Sequence, residues 1–118
     1  MEHLLRGREG EALACNYLIK KDFEIIERNW RRGRNEIDII AGKERKLHFV
    51  EVKTRHSRRF GYPEESVTKK KFKSIQIAAT EYVYLKRWNG NIQFDVLSVS
   101  ILPGLPIEYF FIEDFYFY

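Results

Sequence analysis

Two apolar runs joined by a short charged segment constrain the fold of this chain most strongly. Residues 36–41 and 47–53 are rich in Ile, Val and Phe, and the sequence Gly-Lys-Glu-Arg-Lys lies between them. Apolar runs of this length with a short polar connection are typical of a β-hairpin. The sequence therefore predicts two adjacent antiparallel strands near the middle of the chain.

Charged side chains interrupt these two apolar strands. If the loop is centred between Glu44 and Arg45, Asp38 faces Glu51 and Glu36 faces Lys53. Both pairs then share one face of the sheet, because side chains alternate with period two. Opposed carboxylates about 5 Å apart destabilise a sheet unless a positive charge lies between them. A divalent cation is the natural candidate for that charge.

The predicted carboxylate pair suits metal-dependent hydrolysis of a phosphodiester. Mg²⁺ takes oxygen ligands, commonly one or two carboxylates together with water and substrate phosphate. Lys53 would point to the same face as Glu51, where it can position the attacking water or neutralise charge on a phosphate. The alternative is a structural ion pair between Glu36 and Lys53, with Asp38 and Glu51 merely bordering solvent, since short motifs match often by chance.

Several motifs in order carry a resemblance to a known family. The chain resembles the bacterial YraN-like uncharacterised protein family, and its Asp38, Glu51 and Lys53 resemble the Asp, Glu-x-Lys signature of the restriction-endonuclease-like nucleases. The matching segments are Gly10-Glu11-Ala12-Leu13-Ala14, Arg28-Asn29-Trp30-Arg31, Glu36-Ile37-Asp38-Ile39-Ile40-Ala41, Phe49-Val50-Glu51-Val52-Lys53-Thr54-Arg55 and Phe94-Asp95-Val96. One departure is Asn35, where the family commonly has Gly; Asn tolerates positive φ, so the turn is expected to survive.

The resemblance implies a site and a substrate. It implies a DNA endonuclease with Asp38 and Glu51 as ligands of Mg²⁺ or Mn²⁺, Lys53 near the attacking water, and Glu11 assisting from the first helix. The family is itself similar to archaeal Holliday-junction resolvases, which implies branched DNA as the substrate and a homodimer. For Glu11, a purely structural role at the helix start is an equally good interpretation, because acids there complement the helix dipole.

The distribution of charge favours a polyanionic partner. All 21 Lys and Arg residues precede Trp88, whereas the residues after it contribute four acids and no base. Between Arg28 and Lys73 there are 15 basic and six acidic residues, although the net charge of the chain is only +4. A basic half built around the predicted site suits nucleic acid, whose phosphates displace counterions. A merely solvated surface is the competing interpretation.

Six basic residues are predicted to contact nucleic acid. One lies in the turn before the hairpin, three in an aperiodic segment after Lys53, and two near the start of a second helix. A loop leaving the strand beside the carboxylates is placed to hold backbone phosphates. Lysines at a helix N-terminus oppose the helix dipole unless they meet anions. The residues are Arg34, Arg55, Arg58, Arg59, Lys69 and Lys71.

The remaining periodicity completes the predicted architecture. Helices are expected over residues 6–21 and from Ser66 or Thr68 to about Leu85, and further strands over residues 23–30, 92–100 and 107–118. The predicted fold is α/β, a restriction-endonuclease-like mixed sheet flanked by helices in the order α-β-β-β-α-β-β, as one domain spanning residues 1–118. A lone cysteine, no signal-peptide core and no apolar span predict a cytoplasmic protein without membrane segments.

Two other functions remain open at this level. A nucleic-acid-binding module that keeps the fold and the basic face without cutting would serve an assembly role in DNA processing. The carboxylate pair argues against such a module, because a pure binder gains nothing from negative charge where phosphates dock. A protein that associates through its aromatic C-terminal segment is the third possibility.

Overall fold

The chain forms a five-stranded mixed sheet with a helix against each face. The computed structural model describes residues 2–57 and 67–115, with side chains described from Arg8 onward in the first helix. The elements are α1 (Glu2–Lys20), β1 (Glu24–Arg32), β2 (Asn35–Lys43), β3 (Lys46–Arg55), α2 (Lys69–Lys86), β4 (Asn91–Ser100) and β5 (Glu108–Ile112). This order confirms the predicted α/β architecture, although α1 begins four residues earlier than the periodicity indicated.

The strands lie side by side in the order in which they occur in the chain. The pairs β1–β2, β2–β3 and β4–β5 are antiparallel, whereas β3 and β4 are parallel. Parallel neighbours need a crossover connection, and α2 lies within that connection. The carboxyl end of β3 therefore lies beside the carboxyl end of β4, at the edge of the sheet from which the crossover departs.

A two-residue turn sets the register of the central hairpin. Glu44 and Arg45 both have positive φ, 51° and 64°, and Lys43 pairs with Lys46 across them. Two consecutive positive φ values match the backbone twist of paired strands, as in a type I′ turn. The loop centre is the predicted one, and the pairs from Lys43–Lys46 to Ile39–Val50 follow the predicted register.

The face covered by α1 holds one apolar core. Ala14, Cys15 and Leu18 are buried on α1 and pack against residues of all three central strands, among them Val50 and Leu97. We call this side of the sheet the α1 face. Burial raises the pKa of the Cys15 thiol, so the lone cysteine acts as a small apolar side chain.

The opposite face of the sheet packs against α2. Phe72, Ile75, Ala79 and Tyr82 are buried and form the apolar stripe of this helix. Thr68 caps the helix, its hydroxyl oxygen accepting the N–H of Lys71 at 3.1 Å. Thr68 rather than Ser66 is thus the capping residue. We call this side of the sheet the α2 face.

A buried carboxylate on β4 holds the segment after β5. Asp95 is 2% exposed; its Oδ1 accepts hydrogen bonds from Gln93 Nε2 at 2.8 Å and from the backbone N–H of Asp114 at 2.9 Å. Its Oδ2 lies 2.7 Å from His48 Nδ1. These contacts give Asp95 a structural role. β5 itself is a short edge strand that ends at Ile112, and residues 116–118 of the predicted strand lie outside the described part of the chain.

One outer strand of the sheet is irregular, and the other is short. The register of β1 shifts between Ile25 and Glu27, and Asn29 within it has a φ of 52°. β5 has only five residues and begins at the charged Glu108. Neither described helix is long and apolar enough to cross a membrane.

Candidate functional site

Asp38 lies where the ladder between β2 and β3 ends. The last regular pair is Ile39 with Val50, one residue before Asp38 would face Glu51. The Oδ2 atom of Asp38 accepts the backbone N–H of Val52 at 2.8 Å, so a side chain takes the place of the backbone acceptor that a continuing ladder would supply. The carboxyl group therefore lies in the gap between the two strands.

The side-chain alternation of β2 is interrupted at the same place. Ile37 packs in the core under α2, whereas Ile39, two residues later, packs in the core under α1. Regular strands place residues two apart on one face. The irregularity at Asp38 directs its carboxyl group toward β3 instead of toward either core.

Glu51 approaches Asp38 from the α2 face of β3. The residue is 6% exposed and borders a small cavity lined by Val67, Phe72 and Ile75. Apart from the neighbouring carboxyl group, its buried Oε2 atom meets no hydrogen-bond donor in the described part of the chain. A buried carboxylate oxygen without a donor is costly, so this atom is suited to a ligand.

The electrostatics of the pair disfavour two negative charges. Burial, followed by the charge of Glu51 beside it, raises the pKa of Asp38 to about 8. The two carboxyl groups also share a hydrogen bond that favours the protonated form of Asp38, while the N–H of Val52 and the charge of Lys71 act in the opposite direction. Near neutral pH the pair therefore holds a proton where a cation would otherwise balance its charge.

Lys53 lies next to this pair. Its Nζ atom is 3.9 Å from Oε1 of Glu51, and its side chain is 28% exposed, against 7% for that of Glu51. Lys53 therefore lies between the carboxyl group of Glu51 and solvent. The alternative pair of Glu36 with Lys53 is wrong: within the described residues Glu36 binds Arg31 instead, at 2.6 Å.

Glu11 comes from α1 toward the same end of the sheet. Burial and the negative charge of Asp38 raise its pKa, and a hydrogen bond from Asn29 and the charge of Arg28 act against that rise. Its charge thus reaches Asp38, as the prediction of an assisting role requires. Its hydrogen-bond partner, however, lies on β1.

A glycine permits the close approach of α1. A Cβ at Gly10 would lie 2.8 Å from Cβ of Thr54, which is closer than real side chains pack. The helix therefore rests directly on the carboxyl end of β3, and this contact places Glu11, the next residue, near Asp38. The glycine was visible in the sequence, but its role was not.

The predicted nucleic-acid contacts divide into three groups. Lys71 is half-buried in the first turn of α2, and its positive charge acts on Asp38. Lys69 is exposed at the start of the same helix, and Arg55 is half-buried at the end of β3. Arg58 and Arg59 lie outside the described residues.

Contacts of the residues on either side of Arg34 hold it near the lysines of α2. Arg34 is exposed in the turn between β1 and β2. The following residue, Asn35, accepts a hydrogen bond from Ser74 of α2 at 2.5 Å, and Arg32 pairs with Glu81 of α2 at 3.1 Å. These contacts hold the turn against the helix that carries the lysines. Asn35, the departure from the family pattern, thus makes a contact that glycine cannot make.

The residues present fit a hard divalent cation held by two carboxylates. Within residues 2–57 and 67–115, no group of three or more His, Cys, Asp and Glu side chains is arranged to hold a metal ion. Glu11 therefore does not complete a three-ligand set. Mg²⁺ is commonly bound through one or two carboxylates, with water and substrate phosphate as its other ligands. The Glu51 oxygen without a donor among the described residues is free to bind such an ion, and a cation would offset the repulsion between the two carboxylates.

Comparisons with known proteins find one family. The profile of the family described as "Uncharacterised protein family UPF0102" matches residues 10–99. A UPF0102 protein of Cytophaga hutchinsonii is 45% identical over 100 residues, covering 85% of this chain and 88% of the relative. A UPF0102 protein of Chlorobium limicola is 46% identical over 112 residues, covering 92% and 87%. One of Chlorobium phaeobacteroides is 53% identical over 94 residues, covering 79% and 75%.

Proposed function

The chain belongs to the uncharacterised protein family UPF0102, and from its site we propose that it is a metal-dependent endonuclease that hydrolyses phosphodiester bonds in DNA. The observation that carries the proposal is the pairing of half-buried Asp38 with buried Glu51, with Lys53 3.9 Å from the second carboxylate. The element order and the mixed sheet are consistent with the restriction-endonuclease-like nucleases that the motifs resemble.

Asp38 and Glu51 would hold Mg²⁺ or Mn²⁺. Bound there, the ion would supply Lewis-acid activation of the phosphodiester and of water. The chain contributes the geometry: the N–H of Val52 fixes Oδ2 of Asp38, and Oε2 of Glu51 has no hydrogen-bond partner among the described residues. Lys53 stands where it can hold a nonbridging phosphate oxygen or stabilise developing negative charge.

The basic surface beside the carboxyl groups would hold the DNA backbone. Lys71 and Lys69 on α2, with Arg34 in the turn braced by Asn35, lie on the α2 side of the sheet. Lysines at the start of α2 oppose the helix dipole, and a bound phosphate would relieve this cost. Arg55, Arg58 and Arg59 remain proposed contacts in the segment that leaves β3. Branched DNA and a homodimer also remain proposals.

The test is cleavage of labelled duplex, single-stranded and four-way-junction DNA by the purified protein in Mg²⁺ or Mn²⁺. We expect products that disappear with EDTA and with either Asp38→Asn or Glu51→Gln. Glu36→Gln is the matched control, because Glu36 lies on the same strand but pairs with Arg31 on the β1 side. Cleavage by the two site variants at the parent's rate would rule out the assigned ligands.

Ion binding separates the nuclease from a non-catalytic binding module. Because an ion that binds only the folded state stabilises it, Mn²⁺ should raise the melting temperature of the parent protein and of Glu36→Gln. Asp38→Asn should show no such rise. DNA binding without an effect of Mn²⁺ and without products would instead favour the binding module.

A further inference from the structure

An exposed aromatic ring lies on β5 beside the candidate site. Phe110 is 55% exposed, whereas its neighbours Tyr109 and Phe111 pack against the core under α1. Two residues further, Ile112 packs with Phe72 under α2. Because side chains alternate along a strand, Phe110 is on the α2 face, the face that carries Glu51 and Lys53.

The strand register places this ring in one row with Lys53. Ser98 of β4 pairs with Lys53 of β3 on one side and with Phe110 of β5 on the other. Neighbouring strands are about 4.8 Å apart, so the backbone of Phe110 is about 10 Å from that of Lys53. Glu51, Val96 and Ile112 are the next set of cross-strand neighbours on the same face. The ring is therefore about two strand widths from the proposed position of the phosphate.

The surroundings of Phe110 suit a base better than a phosphate. Glu108, opposite Ser100 in the next row, lies on the same face and is exposed. No Lys or Arg follows Arg87 in the chain. A phosphate would meet negative charge at this edge of the sheet, while the neutral face of a base can stack on an aromatic ring irrespective of its sequence.

We propose that Phe110 stacks on an unpaired base next to the phosphate that Lys53 would hold beside the proposed metal ligands Asp38 and Glu51. This inference rests on the proposed nuclease function and names its substrate class: DNA with unpaired nucleotides beside the cleaved bond. In continuous duplex each base is stacked within the helix, and exposing it costs unstacking and unpairing free energy. Flaps, junction arms and single strands present such a base without that cost.

The experiment compares Phe110→Ala with the parent on two DNA probes without divalent metal. One probe is a continuous duplex; the other is the same duplex with a short single-stranded flap that carries 2-aminopurine at its first unpaired position. We expect Phe110→Ala to weaken flap binding about tenfold, and duplex binding less than twofold. Phe110→Trp should retain flap binding and quench the 2-aminopurine fluorescence, since it keeps an aromatic face.

Ile92→Ala is the matched control. Ile92 is also an exposed apolar residue, 41% exposed, but it lies at the opposite end of β4. It should leave binding to both probes unchanged. Melting curves of all three variants establish that each is folded before binding is compared.

Two results would overturn the inference: equal loss of binding to both probes in Phe110→Ala, or no loss on either. Cleavage assays in Mn²⁺ keep this outcome separate from the nuclease proposal. If no DNA is cut but Phe110→Ala selectively loses the flap, stacking stands and the nuclease proposal fails. If DNA is cut and Phe110→Ala cuts flap and duplex as the parent does, the nuclease proposal stands and stacking fails.

Discussion

Asp38 is ionised only at a cost to the folded protein, because it is buried beside a second carboxyl group. Its pKa is raised to about 8 in the fold from an ordinary value near 4. The folded state thus binds a proton more tightly than the unfolded state. The resulting stabilisation is complete below about pH 4 and is lost progressively as pH rises through about 8.

At the residue scale, Asp38→Asn should therefore stabilise the protein at high pH while abolishing cleavage. The Asn side-chain oxygen can still accept the N–H of Val52, and its amide can donate to Glu51 without carrying charge. We expect the free energy of unfolding in EDTA to exceed that of the parent by on the order of 2 kcal/mol at pH 8.5, and by little at pH 4.5. Urea unfolding at several pH values measures this difference.

Glu36→Gln again provides the comparison, because it removes a more exposed carboxylate from the same strand. Its free energy of unfolding should follow that of the parent across the pH range to within about 0.5 kcal/mol. A constant difference between Asp38→Asn and the parent from pH 4.5 to 8.5 would contradict the assigned proton.

The facing of Asp38 and Glu51 was predictable from the sequence because a hairpin with a centred turn leaves only one register. The end of the ladder was not, since it depends on Asp38 replacing a backbone acceptor for Val52. The pairing of Glu36 with Lys53 failed for the same reason: beyond Ile39 the strands no longer continue as a regular pair. The sequence indicated a strand in the aromatic C-terminal segment, but the register of Phe110 with Lys53 depends on β3, β4 and β5 together and has no local signal.

At the element scale, the contact between α1 and β3 depends on the missing side chain of Gly10. Gly10→Ala should lower the free energy of unfolding by about 1–3 kcal/mol, because its methyl group would overlap Thr54 and displace the helix. The displacement should also reduce cleavage, since Glu11 moves with α1. Thermal unfolding and initial cleavage rates measure the two effects.

Truncating the residue that the new methyl group meets should restore part of this loss. In a double-mutant cycle, Thr54→Ala combined with Gly10→Ala should be less destabilising than the sum of the two single changes. Glu9→Ala, an exposed change in the same turn of α1, should have little effect on either measurement. Strict additivity of Gly10→Ala and Thr54→Ala would contradict the close contact.

The start of α2 has lysines in its first turn and no acid. Lys70→Glu should raise the stability of the free protein by about 0.3–1 kcal/mol, because an acid there complements the helix dipole. The same change should weaken DNA binding. The dependence of the binding affinity on salt concentration should fall by the equivalent of about one phosphate contact or more. Binding titrations at several salt concentrations, with melting curves, measure both quantities.

Lys20→Glu makes the same charge change in the last turn of α1. It should destabilise the protein, because a negative charge there opposes the helix dipole, and it should leave the salt dependence closer to that of the parent. Equal effects of the two changes on DNA binding would show that only net charge matters, and not the position at the start of α2.

Element order was the most predictable feature of the fold, because apolar periodicity marks each helix and strand. The boundaries shifted where side chains extend an element: β1 continues to Arg32, beside the ion pair of Arg31 with Glu36. The choice of Thr68 as the cap needed the actual hydrogen bond to Lys71. The brace between Asn35 and Ser74 joins residues far apart in the chain, so local patterns carry no signal for it.

At the scale of the whole molecule, Asp95 of β4 joins β3 and the segment after β5 through its two oxygens. Asp95→Ala would leave the Gln93 amide, the backbone N–H of Asp114 and the His48 ring without this partner. We expect a loss of about 3 kcal/mol in the free energy of unfolding. The amide of Asp114 should also exchange hydrogen much faster, because it donates to Asp95 in the parent.

Asp114→Asn is the control for these contacts of Asp95, because the donor to Asp95 is the backbone amide of residue 114 and not its side chain. Asn also tolerates the positive φ of 57° at this position. Its stability and the exchange of its amide should remain close to those of the parent. Unchanged protection of this amide in Asp95→Ala would contradict the anchoring role.

The irregularity of β1 and the short length of β5 affect how copies of the molecule can associate. Aggregation into a continuous sheet requires a long, flat edge that offers its backbone groups as a template. The shift and positive φ in β1 twist one edge away, and β5 offers only five residues at the other. Assemblies of this protein should therefore form through side-chain surfaces on its faces, and the sheets of neighbouring copies should not pair edge to edge.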